Sequence, residues 1–403
     1  DNSCPSQVVI VGNPAYYENL SGDNSQLGGF VIEDNETVID GYTQCSSDPN
    51  NASINGNADI RIQIEGNGTT GAAQGYHGLV VKSDNNEVRG LSIVNWGRGI
   101  ELREAAYNII AGNFIGLNTD EQVRGNFIGL YINFGSTYNI IGGINLADRN
   151  IVSGNVSDGI KLNGLGVTEN QVIGNYVGLK QNGSTVAGNG LDGIDVESQS
   201  HHNWVGGILL TNDELFPAVQ PSRSVTNALL DSEGNAQVDI RKRNIVAGNG
   251  HNGIEISQKL ATKENRIVGN WVGMDAYGNQ AGNGLIGITI EDRANHNLIY
   301  LNVVVGSNAH GVRFYTVYEN ELFQNWIGLR PEGAERRDGV MLSEEPMPNG
   351  VTGYNKEGTQ YYGRSGIEIM GGSNGNMIYE NVIAHNKEHG IHLKALAGYL
   401  SDP

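Results

Sequence analysis

Cysteine is nearly missing from this chain: two in 403 residues, at Cys4 and Cys45. Two cysteines leave room for one disulfide. In an exported protein the pair is expected to join, stapling the N-terminal segment to the first repeats at about 2–4 kcal/mol. Proline is scarce at 9 residues, and charged residues make up only 17%, so this is not the composition of a disordered chain. Positive charge is short. Against 44 Asp and Glu stand 25 Lys and Arg, for a formal net charge of -19. Nucleic acid is excluded as a partner, because a phosphate backbone needs a basic footprint. The one basic run, Arg241–Asn244, is isolated. An anionic polysaccharide or lipid surface is also disfavoured unless a cation intervenes. No apolar run approaches the roughly 20 residues needed to span a bilayer. The sequence opens at Asp1 without Met. It reads as a mature chain exported by a removed signal peptide, and so extracellular or at the cell surface.

What the chain has in plenty is glycine, 58 residues, arranged with asparagine in a repeat. One phrase is Gly, apolar, any residue, apolar: GLVV at Gly78, GIEL at Gly99, GLYI at Gly129, GIKL at Gly159 and GIDV at Gly193. It continues as GIEI at Gly253, GITI at Gly287, GVRF at Gly311, GVML at Gly339, GIEI at Gly366 and GIHL at Gly390. The second phrase is Asn, any, Ile or Val, any, Gly, Asn, as in NIIAGN from Asn108 and NIVAGN from Asn244. Each phrase is a short strand of period two, with Ile100 and Leu102 inward and Glu101 outward. The glycine is expected to permit a turn of positive φ, and the asparagine to form hydrogen-bonded ladders at turns. The segment Asn150–Val196 realigns on Asn244–Ile290, a duplicated two-coil unit. The expected fold is all-β, with almost no helix: a solenoid of about twelve to fourteen coils stacked at the strand spacing, about 60 Å long.

These repeats resemble the pectin-lyase-like, right-handed parallel β-helix superfamily, and more narrowly the Gly/Asn-rich repeats of bacterial cell-surface proteins. TVIDGYTQ at Thr37–Gln44 resembles their opening coil. The resemblance implies three parts: an N-terminal segment at 1–36, either cap or assembly arm; the β-helix at 37–393; and a tail at 394–403. Excursions interrupt the coils at 208–243 and 343–364. No amphipathic helix covers either end, which leaves strand edges as candidate assembly surfaces.

In sugar-processing members of this superfamily the site lies on an outer strand face. Here the outward column reads Glu101, Tyr131, Lys161, Asp195, Glu255, Thr289, Arg313, Met341, Glu368 and His392. Catalytic candidates are Lys161, Asp195, Glu197, Glu255 and Glu291. Paired carboxylates suit acid/base glycoside cleavage. A lyase would need a base such as Lys161 or Arg313, with Asp or Glu holding Ca²⁺ against a uronate. No metal-binding motif is visible, so no metal or other cofactor is assigned. Asp192 and Asp195 in NGLDGID are explained by the repeat, since the same slot reads NGLIGIT at Asn283–Thr289. Phe114, Tyr176, Trp271 and Trp326 form an aromatic column at about every second coil, a candidate binding surface for sugar or protein. His202, His296, Tyr107 and Tyr138 occupy one kind of turn and read as turn packing.

The leading functional expectation is an extracellular structural protein that self-assembles into a homo-oligomer or polymer through its ends and sides. The alternative is a polysaccharide lyase or glycoside hydrolase. A second alternative is a non-catalytic carbohydrate-binding or adhesin module.

Overall fold

A computed structural model of the chain describes residues 7–12, 18–19, 27–69, 75–209, 237–257, 262–355 and 358–394. Three long sheets run its length. A front sheet of 12 strands is parallel except at Glu18–Asn19, which pairs antiparallel with the strand Leu27–Ile32. The second sheet has 10 strands and the third 11. Each coil visits them in that order, as in Ile160–Asn163, Gln171–Ile173 and Tyr176–Val177. The inward residues of all three sheets merge into one core, in which Ile160, Leu162, Val172, Val177, Ile194 and Val196 are fully buried. Trp96 fills the N-terminal stretch of that core. No α-helix occurs among the described residues; short 3₁₀ turns include Gly41–Thr43 and Leu146–Asp148.

The asparagine ladders are present, three of them. In one, Asn86, Asn108, Asn139, Asn170, Asn203, Asn265, Asn297, Asn320 and Asn376 pass side-chain hydrogen bonds of 2.9–3.1 Å from coil to coil. Others run through Asn113, Asn150 and Asn175, and through Asn126, Asn155 and Asn189. The left-handed backbone, however, belongs to the residue before the asparagine: Tyr107, Tyr138, Glu169, His202, Glu264 and His296 have φ of 55–59°. Tyr107 and Tyr138 stack with ring centroids 5.1 Å apart, as turn packing requires.

The glycine of the strand phrase has a different reason from the one expected. Gly129, Gly159 and Gly193 are not at positive φ. A Cβ on Gly159 would lie 2.7 Å from the carbonyl oxygen of Gly193, and the same contact repeats up the column. Close coil-to-coil approach, rather than turn conformation, demands glycine there.

Four sequence expectations need correction. There are ten complete coils among the described residues, plus one strand at each end, fewer than the expected twelve to fourteen. The coils begin before residue 37: Leu27–Ile32 is already a front strand, and Val8–Val11 pairs in parallel with Ile62–Glu65 on the third sheet. GVML at Gly339 is not a coil strand. Met341–Leu342 pairs antiparallel with Ala334–Glu335 in a lateral hairpin, and Val312–Tyr315 pairs directly with Ile367–Met370. The second excursion therefore starts near Leu329, not at 343. Residues 210–236 of the first excursion lie outside the described residues, as does Cys4 of the expected disulfide and the tail from 395 onward.

Candidate active site

The front sheet's register stacks Lys161 on Asp195, Asp195 on Glu255, Glu255 on Thr289 and Thr289 on Arg313. Outward residues of a strand column would ordinarily be solvated. Here they are walled in by the turns that enter each front strand, and Asp195 is 3% exposed. Those turns bring further acids. Asp158 and Asp192 each precede the glycine of their strand, and their side chains accept backbone N–H groups of the next coil. Asp158 Oδ1 receives Asp192 N at 3.3 Å, and Asp192 Oδ1 receives Asn252 N at 2.8 Å. His251 Nδ1 also lies 3.1 Å from Asp192 Oδ1.

Elsewhere on this face every buried acid has its own cation. Glu101 meets His77 and Arg98, Glu291 meets Arg313, and Glu368 meets His310. At mid-rod this pairing fails. Among the described residues Asp158, Asp192, Asp195, Glu197 and Glu255 share only Lys161 and His251. Lys161 Nζ sits 2.6 Å from Asp195, 3.1 Å from Glu197 and 3.4 Å from Asp158.

Protonation follows from that shortage. Burial, then the charges of Asp192, Asp195 and Glu291, push Glu255 up to about 10. Glu255 is therefore a neutral acid at pH 7. One of its oxygens accepts from Asn252 Nδ2 at 2.8 Å. Burial also raises Asp195, against the pull of Lys161. Burial alone would lower Lys161, but Asp195, Asp158 and Glu197 outweigh it and hold the ammonium charged. His251 is likewise raised by Asp192 against the effect of burial. A charged, triply paired Lys161 has no lone pair with which to take a proton, so the lyase base expected at that position is not available. Arg313 is engaged by Glu291 and is no better.

Ligand atoms of Asp192, His251 and Glu255 lie within 4.8 Å of one another, as do those of Asp158, Asp192 and Asp195. Either trio has the donor set to hold a hard or borderline cation. No sequence motif announced them, because each residue comes from a different coil or from a turn.

The five catalytic candidates are thus partly gathered. Lys161, Asp195, Glu197 and Glu255 share one cluster, and Glu291 lies beside it, paired to Arg313. Asp158, Asp192 and His251 complete it. The aromatic column does not line a surface. Phe114, Tyr176 and Trp271 are buried, forming with Trp326 a second apolar layer between the third sheet and lateral loops that include Ile54, Leu117, Leu179 and Met274. Tyr176 and Trp271 are moreover covered by the guanidinium groups of Arg149 and Arg243.

No helix among the described residues is long and apolar enough to cross a membrane. No family model matches the chain, and no curated protein matches it in sequence. Solved structures do. The Dettilon tailspike protein is 16% identical over 90% of this chain, with a TM-score of 0.45; the match spans 60% of the tailspike's length. The A-module of the Azotobacter vinelandii mannuronan C-5 epimerase AlgE6 is 10% identical, covering 89% of this chain and 88% of that one, at a TM-score of 0.33. Alginate lyase from Paenibacillus sp. is 13% identical, with 97% and 94% covered and a TM-score of 0.21. Three parallel sheets wound coil on coil make this chain a right-handed parallel β-helix.

Proposed function

We propose that the protein cleaves glycosidic bonds of a polysaccharide at the mid-rod acidic cluster, with Glu255 as general acid and Asp192 as its anionic partner. The carrying observation is the charge imbalance: a protonated Glu255 beside an Asp192 whose oxygen accepts from His251 and Asn252. Such a cluster costs fold stability, and a purely structural face has no reason to keep it. Two carboxyl groups whose environments differ this way are the pattern of acid/base assignment. Protonated Glu255 gives its proton to the glycosidic oxygen as the bond to the anomeric carbon breaks. Asp192 attacks that carbon as the bond breaks, forming a glycosyl ester; a water that gives its proton to Glu255 then displaces Asp192, which frees the new reducing end and restores both carboxyl groups. The carboxyl oxygens lie within 4.8 Å, short of the roughly 6.5–9.5 Å that leaves room for an activated water, so retention of configuration is expected.

The test is a panel of neutral and uronic polysaccharides. New reducing ends without ultraviolet-absorbing unsaturated products are the expected result. Unsaturated products, or no cleavage across the panel, would overturn the hydrolase reading. A polysaccharide substrate supports a site of action at the cell exterior.

One observation favours a second reading, self-association with another copy. In the last described coil Ile391 is 48% exposed and Leu393 73% exposed, on a strand with one edge unpaired among the described residues. Light scattering of concentrated protein is expected to show mass growing with concentration, and Leu393→Lys to suppress it. A constant monomer mass would remove this reading and leave the first intact.

A further inference from the structure

The lateral side carries an arrangement of charge opposite to that of the front. Arg149, Arg243 and Arg337 come together beneath the loops that cover the third sheet. Other arginines here have acid partners, such as Arg241 with Asp239 at 3.0 Å and Arg330 with Glu345 at 2.7 Å. These three have none among the described residues, and each donates to backbone carbonyls instead. Arg149 Nη2 binds Ser53 O at 2.6 Å, and Arg243 Nε binds Gly269 O at 3.2 Å. Arg337 binds Arg241 O at 2.9 Å and Ile144 O at 2.7 Å. Arg149 is 4% exposed, and its Nε has no partner.

A cavity of about 20 Å³ lies beside two of the three, Arg243 and Arg337, its other walls apolar or aromatic side chains such as Ile240, Ile245, Tyr176 and Trp271. That exceeds the roughly 10–15 Å³ one water-sized occupant needs. The acids close enough to be felt are already engaged. Asp239 serves Arg241, Asp148 caps Asn145, and Asp275 caps the turn at Tyr277. Glu335 lies near Arg243 but offers it only its backbone carbonyl. Burial pulls Arg243 down to about 9, and burial followed by the charge of Arg149 pulls Arg337 down to about 10. Unpaired buried charge is expensive, and in a chain of net charge -19 acids were abundant enough to pair it.

We propose that this cavity binds a small inorganic anion of the size and charge of chloride, bridging Arg243 and Arg337. The anion offsets one of the trio's three positive charges and, through Arg243 and Arg337, fastens the loops at Ile144 and Glu335 to the coil stack. A ligand that binds only the folded chain raises its stability saturably with concentration. At matched ionic strength, sodium chloride is expected to raise the Tm of the full chain by several degrees over sodium gluconate, saturably. Arg243→Met and Arg337→Met should each flatten that dependence. Crystals soaked in bromide should show an anomalous peak between the two guanidinium groups. Equal Tm in both salts, a chloride response retained in both variants, or a bromide map without that peak would overturn the proposal. The bromide measurement uses the unaltered chain, so it decides the matter even where a variant fails to fold.

Discussion

Glu255→Gln is expected to lower polysaccharide cleavage by about 10²–10⁴-fold while raising the melting temperature above pH 7. The two effects share one cause. Glu255 is held near 10 in the folded chain against an ordinary value of 4.5. Between those values the folded state keeps a proton that the unfolded state has lost. Stability linked to this residue is therefore complete below about pH 4.5 and declines as pH rises toward 10. Glutamine fixes the neutral form, keeps an oxygen for Asn252 Nδ2 and places an amide beside Asp192. The decline should vanish, with a gain of roughly 0.5–2 kcal/mol at pH 8, the usual scale of such trade-offs. The proton for the leaving group vanishes with it. Thermal melts of both proteins from pH 5 to 9, beside initial rates, read both effects. A variant that keeps its activity, or that melts lower than the parent at pH 8, would rule out a protonated catalytic Glu255.

How much of this was legible beforehand depended on whether a residue's neighbours lie in its own coil. The alternation of the front strand places Lys161, Asp195 and Glu255 outward from sequence alone, and the register confirms that column. Glu197 follows two positions after Asp195 on the same face. Asp158 and Asp192 were harder. They sit in the slot just before the strand glycine, which reads Asp, Asp, Asn, Ile, His and Ser at 158, 192, 252, 286, 310 and 365. Read as a column, that slot is a signal; read along the chain, it looks like a variable turn. GVML at Gly339 shows the converse error. The four-residue phrase is right, but its partner Ala334–Glu335 is local and antiparallel, and a short phrase cannot report which strand it meets. The aromatic column followed the correct period but not the correct environment. Whether Trp271 faces water depends on loops such as 329–346, which fold back on the rod from several coils away.

Asn170→Leu is expected to destabilise the rod by roughly 3–6 kcal/mol, and Asn170→Asp to do so in a pH-dependent way. Asn170 is 0% exposed and uses both ends of its amide. Its oxygen accepts from Asn139 N at 3.0 Å and Asn139 Nδ2 at 2.9 Å. Its nitrogen donates to Ser136 O, Thr168 O and Asn203 Oδ1 at 3.0–3.1 Å. Leucine leaves two donors of Asn139 buried without partners, each costing about 1–3 kcal/mol, and removes a donor from three acceptors. Aspartate has nearly the same shape and still accepts from Asn139. Its other oxygen, however, faces three oxygens where asparagine presented N–H. Protonation restores one donor, so the folded state raises the acid's pKa above its unfolded value near 3.9. The deficit relative to the parent should then be smallest below about pH 4 and grow as pH rises through neutrality. Denaturant unfolding at pH 4 and pH 7.5, always against the parent at the same pH, measures it. An equal deficit at both pH values would mean that the ladder tolerates a carboxylate, and that shape rather than donor direction selects asparagine in these coils.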